Sequence, residues 1–297
     1  MKVIKMKKKS KVKKNNLILA VSVALFTIFL VGGIYGWVSM GGTSDLLTGS
    51  ATAISPLPFF SLSMNSDPTT AQKEILRSTD VRATSRYEGK QKNAWQFDGK
   101  DSYVVTSSTE LRDLDEFTIV FWLKPTDLGL SRRGHILWQG SLDLEGKGRL
   151  AGDGWGTEQE LHLSLGDELG PRQYGKDQLT FYFGDENNNL KIAIPMKYVD
   201  WQHVAVAVRN SETGANAKLY FEGVLIGEDS TAQPISREKW QETTLRLGEA
   251  GKEGPAGDAN RYYKGMLDEL AIYDEVLTSD EISRLCWKQN KGVSCGS

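Results

Sequence analysis

The sequence predicts an all-β sandwich or barrel that follows a single N-terminal transmembrane helix and is closed by a short C-terminal helix. Three observations lead to this prediction: an uncharged apolar run near the N-terminus, a series of short strand-like segments from about residue 95, and a helix-start pattern near the C-terminus. Thirty Gly, ten Tyr and eight Trp among 297 residues suit a chain with many turns and aromatic-rich strands.

The charge of the chain is distributed unevenly. Eight of the 36 Lys and Arg residues lie in residues 1–16, which contain no acid, so the rest of the chain has 28 basic against 38 acidic side chains. A net charge of −10 on this part argues against nucleic acid as a partner, because binding phosphates needs clustered Lys and Arg.

The apolar run 17–40 is long enough to cross a membrane, since 24 residues form a helix of about 36 Å. Eight lysines precede the run, and Asp45 is the first charge after it. The positive-inside bias therefore predicts a cytoplasmic segment 1–16, one span through the cytoplasmic membrane in contact with lipid, and a main domain that is periplasmic or extracellular.

A cleaved signal peptide is the alternative interpretation of this run. The apolar region of a signal peptide is about half as long, and the A-x-A-like triplet 51–53 lies more than ten residues past the run. Both features favour an uncleaved anchor. Gly32 and Gly36 form a G-x-x-x-G pair that would let a helix of another membrane subunit pack closely, although Gly is also common in spans without such a partner.

Residues 41–70 mix small, polar and Pro residues without a sustained period, as is typical of a stalk, so we place the folded domain at residues 71–297. Within it, FTIVFWLKP at 117–125 alternates apolar residues at period two, which predicts a strand with one buried face. Residues 185–189 and Glu222-Gly223 are turn signals between strands. The other strand-like segments are 135–140, 160–166, 179–184, 190–195, 201–209, 218–227 and 244–248.

The C-terminal region carries a helix signal. Thr278 and Glu281 form a capping box, and Leu277 with Ile282 can form a hydrophobic staple, which together predict a helix from Ser279 to about Gln289.

Both cysteines, Cys286 and Cys295, lie near the C-terminal end. Outside the cytoplasm they would form a disulfide that staples the tail, and two free thiols are the alternative. The C-x8-C spacing is not a metal signature.

Five segments carry recognisable motifs in order: AWQFDG with YVV at 94–105, FTIVFWLKP at 117–125, WQHVA at 201–205, KLYFEGV at 218–224, and KGMLDELAIY with LTSDEI at 264–282. Together they resemble the laminin-G-like, concanavalin A-like jelly-roll family. The resemblance implies two packed antiparallel sheets with the first and last strands side by side. It leaves function open, because such domains bind glycans, proteins or lipids, accompany enzymes, or build assemblies.

Catalytic patterns are weak in this sequence. Glycoside hydrolases on this fold place carboxylates at alternate positions of one strand as E-x-D-x-E, which gives the gap of about 5 Å that a retaining mechanism needs. None of the nearest candidates continues to a third acid at period two: these are Asp113 with Asp115, Asp143 with Glu145, and Asp268 with Glu269. The three histidines, His135, His162 and His203, lie inside predicted strands, as structural histidines do. We therefore expect a domain that is not an enzyme.

A calcium site is one interpretation of the acidic residues near the predicted sheet edge. Asp268 shares the parity of Leu270 and Ile272, so it is expected to point towards the core, where a charge needs a partner. Ca²⁺ would supply that partner, with Asp98, Asp101 or Asp258 as further ligands. The alternative is that backbone amides neutralise Asp268.

Aromatic residues in loops are the candidates for binding a glycan, because sugar rings stack on aromatic faces. They are Trp155, Tyr174, Trp240, Tyr262 and Tyr263. For Trp155, packing against the sandwich is the equal alternative.

Two functions follow from this sequence. The first is a non-catalytic, membrane-anchored binding domain that recognises a glycan or a protein surface. The second is an accessory subunit of a larger membrane complex, which docks through its transmembrane helix and its sandwich.

We expect protease added to sealed, right-side-out cells to remove the bulk of the chain, because the predicted topology places everything after residue 40 outside. Immunoblotting for an N-terminal tag measures the remaining fragment. A full-length band that disappears only after the cells are opened contradicts this topology.

Overall fold

Two antiparallel sheets form a sandwich in which every strand lies in one of two layers. The computed structural model describes residues 56–62, 64–69, 75–85, 93–108, 111–126, 134–140, 159–166, 178–185, 187–196, 200–238, 240, 244–249, 262–289 and 295. Within these residues, 15 strands form one sheet of eight and one of seven. The predicted all-β, two-sheet jelly-roll sandwich is confirmed.

The eight-stranded sheet brings the two ends of the domain together. Its strands are β1 (Phe60–Leu62), β3 (Arg82–Ser85), β4 (Asn93–Asp98), β6 (Glu116–Pro125), β11 (Gln202–Ser211), β12 (Gly214–Phe221), β13 (Val224–Thr231) and β15 (Lys264–Tyr273). Their order is β13-β12-β11-β6-β15-β4-β3, and β1 pairs with β15 beside this path. The first and last strands are therefore neighbours, as the resemblance implied.

The seven-stranded sheet forms the second layer. Its strands are β2 (Ile75–Thr79), β5 (Tyr103–Ser108), β7 (Gly134–Gly140), β8 (Glu160–Leu165), β9 (Gln178–Gly184), β10 (Asn189–Pro195) and β14 (Thr244–Leu247). Their order is β10-β9-β8-β7-β14-β5-β2. A short 3-10 helix, Leu111–Asp113, precedes β6.

The core lies between the sheets and is built from alternate residues of each strand. Phe117, Ile119, Phe121 and Leu123 of β6 belong to it, which confirms the predicted buried face of that strand. Phe117 meets Phe183 of β9 edge-on, with ring centroids 6.0 Å apart, so residues of the two sheets interlock directly.

The helix α1 (Ser279–Gln289) covers the outer face of the eight-stranded sheet. Ile282 of this helix lies in one apolar cluster with Val120, Ala205 and Tyr220 of the sheet and with Leu277. Both faces of this sheet are therefore buried along the helix, and the predicted helix is confirmed with the bounds expected from its capping box.

The folded domain begins earlier than the predicted boundary at residue 71. Leu62 and Met64 are buried in the core, and the Trp95 indole N–H donates a hydrogen bond to the Ser66 carbonyl at 2.7 Å. The compact unit accordingly spans Ile54–Ser297. Apolar residues of the expected stalk form part of the sandwich because β1 pairs with β15, a contact that no local pattern announces.

No helix among the described residues is long and apolar enough to cross a membrane. The predicted span 17–40, with Gly32 and Gly36, lies outside the described residues.

Both predicted turns connect neighbouring strands of a hairpin. Asp185 follows β9 and accepts hydrogen bonds from the amides of Asn187 and Asn188 at 2.9 and 3.0 Å. Glu222 and Gly223 join β12 to β13 with φ angles of 52° and 80°. The left-handed conformation at both positions suits a two-residue hairpin turn.

The capping box of α1 predicts a pH-dependent contribution to stability. Glu281 accepts hydrogen bonds from the Thr278 amide and hydroxyl at 2.8 and 2.7 Å, and these bonds lower the pKa of Glu281. An acid whose pKa falls on folding stabilises the fold above its unfolded pKa, and this contribution is lost as the pH falls through the folded value. We expect Glu281→Gln to lower stability at pH 7 and the difference from wild type to shrink at pH 3, as measured by urea unfolding.

Glu275→Gln is the matched control. Glu275 is exposed near the start of the helix, so this variant removes the same charge without affecting the capping box. An equal loss of stability in both variants, or a difference that is the same at both pH values, contradicts the prediction.

Candidate functional site

The outer face of the seven-stranded sheet is polar where β8 crosses it. This strand reads Glu-Leu-His-Leu-Ser-Leu. Its three leucines belong to the core, so Glu160, His162 and Ser164 project from the opposite face.

The register of the neighbouring strands surrounds His162 with aromatic rings. Trp138 of β7 and Tyr182 of β9 are its cross-strand partners. The Tyr182 ring stacks on the His162 ring, with centroids 5.2 Å apart and an interplanar angle of 14°, and the His135 ring meets it edge-on at 5.2 Å. We call Trp138, Glu160, His162 and Tyr182 the polar-aromatic cluster.

The carboxylate of Glu160 holds the cluster together. Its Oε2 accepts a hydrogen bond from the Trp138 indole N–H at 2.8 Å, and its Oε1 lies 3.1 Å from Nδ1 of His162. Because an ionised carboxylate only accepts hydrogen bonds, the proton in the second contact belongs to His162 Nδ1. Two donors on different strands thereby fix the carboxylate in one orientation.

Glu160 is the member of the cluster that reaches solvent. The His162, Trp138 and Tyr182 residues are 0%, 1% and 4% exposed, whereas the Glu160 side chain is 18% exposed. Its cross-strand partners are Gly140 and Gly184. A Cβ atom on Gly140 would lie only 2.8 Å from Cβ of Glu160. A Cβ atom on Gly184 would lie 2.3 Å from the Asn188 carbonyl oxygen, so both glycines allow the neighbouring backbone to pack closely beside Glu160.

The face of β7 to β10 is equipped for hydrogen bonding and stacking. Of the described strand residues that share it, Glu160 is the one carboxylate, because positions 162 and 164 of its own strand are His and Ser. A retaining glycosidase needs a second carboxyl group about 5 Å away. The partly exposed group of the cluster is the Glu160 carboxylate, which can accept hydrogen bonds from a polar group.

The predicted ligand-binding aromatics fall into three groups. Trp155 and Tyr174 lie outside the described residues. Tyr262 is half-buried and forms an isolated bridge with His135, next to the polar-aromatic cluster. Trp240 and Tyr263 are 2% and 0% exposed, so the prediction that they face a ligand is wrong.

Core packing explains both buried rings. Trp240 packs edge-on against Phe183 with centroids 5.9 Å apart. Tyr263 packs against Phe97 at 5.9 Å and donates its hydroxyl proton to the Met266 carbonyl at 3.1 Å. Burial raises the pKa of the Tyr263 hydroxyl well above its usual value. Burying the large apolar area of each ring stabilises the fold, which explains why neither residue is exposed as its sequence context suggests.

The fold separates Asp268 from Asp98, two of the predicted calcium ligands, along the sheet. Oδ1 of Asp98 accepts hydrogen bonds from the amides of Lys100, Asp101 and Ser102, and these bonds outweigh burial to lower the pKa of Asp98 to about 2. Asp98 lies opposite Lys264, and Asp268 is four residues, or about 13 Å, further along that strand. Asp258 lies outside the described residues.

The expected orientation of Asp268 is wrong because β15 contains a bulge. The register shifts between Asp268 and Ala271, and Glu269 has a φ angle of 53°. The bulge reverses the parity, so Leu270 faces the core while Asp268 pairs with Trp122, which belongs to the outer cluster. Oδ1 of Asp268 accepts the Glu269 amide at 2.8 Å.

The predicted disulfide is confirmed, since Cys286 of α1 is bonded to Cys295 with a Cα–Cα distance of 5.9 Å. The carboxylate of Glu222 lies beside it. Burial raises the pKa of Glu222 to about 7, with a further increase from the charge of Asp200, while the hydrogen bond from the His203 amide opposes the rise.

The residues of the polar-aromatic cluster were not selected from the sequence. The signal was present in the strict alternation of Leu with Glu160, His162 and Ser164. Trp138 and Tyr182 join the cluster only through the register of three strands, which the sequence does not contain.

Comparison with known proteins supports the same architecture. A family model described as the concanavalin A-like lectin/glucanases superfamily matches residues 98–283. No curated protein sequence matches the chain.

Solved structures resemble the chain in fold. A mutant of HCR D/C VPI 5995 has a TM-score of 0.52 and 14% identity, over 78% of this chain and 52% of its own. The botulinum neurotoxin type G receptor binding domain has a TM-score of 0.49 and 12% identity, over 78% and 51%. The chain thus spans about half the length of these structures.

Because Glu160 accepts two hydrogen bonds in a buried setting, we expect its removal to destabilise the fold more than the removal of the exposed Glu116. Glu160→Ala would leave the Trp138 indole N–H and His162 Nδ1 without this acceptor in a buried setting, and we expect a loss of about 1–3 kcal/mol in the free energy of unfolding. Denaturant unfolding measures this loss.

Glu116→Ala is the control, because the Glu116 carboxylate pairs with Arg209 on the exposed surface of the other sheet and is worth about 1 kcal/mol or less. Equal losses in the two variants would show that the contacts of Glu160 are not those of a buried acceptor.

Proposed function

This chain belongs to the concanavalin A-like lectin/glucanases superfamily, and we propose that it is a non-catalytic, membrane-tethered domain that binds a glycan on the outer face of its seven-stranded sheet. The observation that carries the proposal is the fixed carboxylate of Glu160, which stands between two glycines beside the Trp138 ring. Sugars offer hydroxyl donors together with an apolar ring face. A carboxylate held in one orientation complements the hydroxyl donors.

The exposure of the polar-aromatic cluster indicates where a sugar would approach. His162 and Trp138 are buried, so they position Glu160 rather than present themselves to solvent. A sugar hydroxyl would reach the cluster at Glu160, because the side chain of this residue is 18% exposed. Preorganisation by two hydrogen bonds reduces the entropy that binding costs.

We also propose that the domain does not hydrolyse the glycan that it binds. Two features support it: Glu160 is the one carboxylate among the described strand residues of this face, and both of its oxygens already accept hydrogen bonds. A nucleophile or a general acid would need a second carboxyl group nearby.

The membrane tether is proposed from the sequence. The apolar run 17–40 and the eight lysines before it support an N-terminal anchor with the sandwich on the periplasmic or extracellular side. A glycan ligand suits that side of the membrane.

A second function, as an accessory subunit of a membrane complex, is supported by exposed apolar residues. Val224, Leu225 and Ile226 at the start of the edge strand β13 are 40–44% exposed, and Trp287 of α1 is 56% exposed. Exposed large apolar side chains on an edge strand are typical of protein contacts. These residues belong to the eight-stranded sheet and to the helix that covers it, so the two functions can be tested separately.

We expect the full chain in lipid nanodiscs to retain at least one class of glycan on a printed array. Glu160→Gln removes one acceptor charge and should weaken that binding at least 10-fold, as measured by titration with the retained glycan. Glu116→Gln removes the same charge from the other sheet and should bind like wild type.

A blank array with correctly folded wild-type protein, or equal affinity in Glu160→Gln, overturns the proposal. If membrane proteins then co-purify with the wild type and are lost with Leu225→Ser combined with Trp287→Ser, the accessory function is the correct one.

A further inference from the structure

Three groups that bind transition metals meet at the end of the β12–β13 hairpin. They are the carboxylate of Glu222 and the sulfur atoms of Cys286 and Cys295, and their ligand atoms all lie within 4.8 Å of one another. The residues come from the hairpin turn, from α1 and from the C-terminal tail. The spacing of the cysteines alone did not suggest a metal site, because the third group is supplied by the fold.

The hairpin turn holds the Glu222 carboxylate in place. The Glu222 amide donates to the His203 carbonyl at 2.9 Å, and Oε1 accepts the His203 amide at 2.9 Å. Oε2 is buried and has no hydrogen-bond partner among the described residues. A buried oxygen without a partner is costly, and a cation is one of the few groups that would satisfy it.

The helix approaches the turn closely enough to bring Cys286 to this carboxylate. A Cβ atom on Gly223 would lie 3.1 Å from Cα of Ser283, and Cys286 follows Ser283 by one helical turn. Cys286 and Cys295 are 0% and 2% exposed and share an apolar cluster with Trp122 and Trp201. Such a shell limits the access of bulk solvent to a metal site.

We propose that Glu222, Cys286 and Cys295 form a redox-gated zinc site, which the disulfide closes and which opens to Zn²⁺ after reduction. A dithiol reductant supplies the two electrons that break the S–S bond and becomes a disulfide itself, leaving two Cys thiols. Each thiol then loses its proton as its sulfur binds the metal. The Glu222 carboxylate is the third ligand, and water completes the tetrahedral set.

The backbone geometry fits both states. Two sulfurs at about 2.3 Å from one Zn²⁺ lie about 3.8 Å apart at the tetrahedral angle. Side-chain rotation produces this separation when the Cα atoms are 5.9 Å apart, the distance found here. Two thiolates favour zinc over calcium or magnesium, which prefer oxygen ligands. The disulfide joins Cys295 to α1 in the oxidised state, and the metal joins them in the reduced state. Cys295 therefore remains attached to α1 in a reducing medium that contains zinc.

The test uses the full chain in detergent, oxidised or reduced with a phosphine and freed of reductant without air. Titration of Zn²⁺ against a chromophoric chelator measures affinity, and the thiolate charge-transfer absorption of Co²⁺ reports sulfur ligation. We expect the reduced chain to bind one Zn²⁺ at least 100-fold more tightly than the oxidised chain. Glu222→Gln should weaken that binding at least 10-fold. The matched control Glu228→Gln, exposed on the same hairpin, should not change it.

Cys295→Ser provides a second test, since it removes one ligand from the tail and leaves the helix intact. It should lack the tight site with and without the phosphine treatment, with thermal unfolding confirming that the sandwich is folded. The inference is overturned if reduction does not increase zinc affinity, or if Glu222→Gln binds zinc as tightly as wild type. The site lies on the eight-stranded sheet, so a blank glycan array would not affect this result.

Discussion

The apolar layer between the two sheets is the constraint on which the rest of the structure depends. Because side chains alternate between the faces of a strand, fixing the buried residues also fixes the outward ones. In β8, Leu161, Leu163 and Leu165 enter the core, which forces Glu160 and His162 outward. A slip of one residue would reverse both sets. The candidate site is therefore held in place by the same packing that stabilises the fold.

Local patterns explain what the sequence predicted correctly. The strand period in 117–125, the capping box at Thr278 and the hairpin turn at Glu222-Gly223 each depend on residues that are close in the chain. The disulfide also joins residues only nine apart. Such features form wherever the surrounding fold permits them, so their signals remain legible without knowledge of tertiary contacts.

Features that depend on pairing between distant strands were not legible. The bulge at Glu269 belongs to the pairing of β15 with β6, and it reversed the orientation of Asp268. The domain boundary was misplaced because β1 pairs with a strand about 200 residues later. Likewise, Trp240 has a loop-like sequence context, and only the packing of Phe183 against it reveals a core residue.

The two outer faces of the sandwich differ in chemistry, and α1 covers the face of the eight-stranded sheet. Ile282 and its neighbours lie on the eight-stranded sheet over Val120 and Ala205, an apolar contact that leaves no room for a ligand. The opposite sheet has Glu160, His162 and Tyr182 in the corresponding outward positions. Stacked sheets are about 10 Å apart, so the disulfide end of α1 and the polar-aromatic cluster are separated by the full core. A change of redox state at Cys286 therefore leaves the charge and orientation of Glu160 as they are.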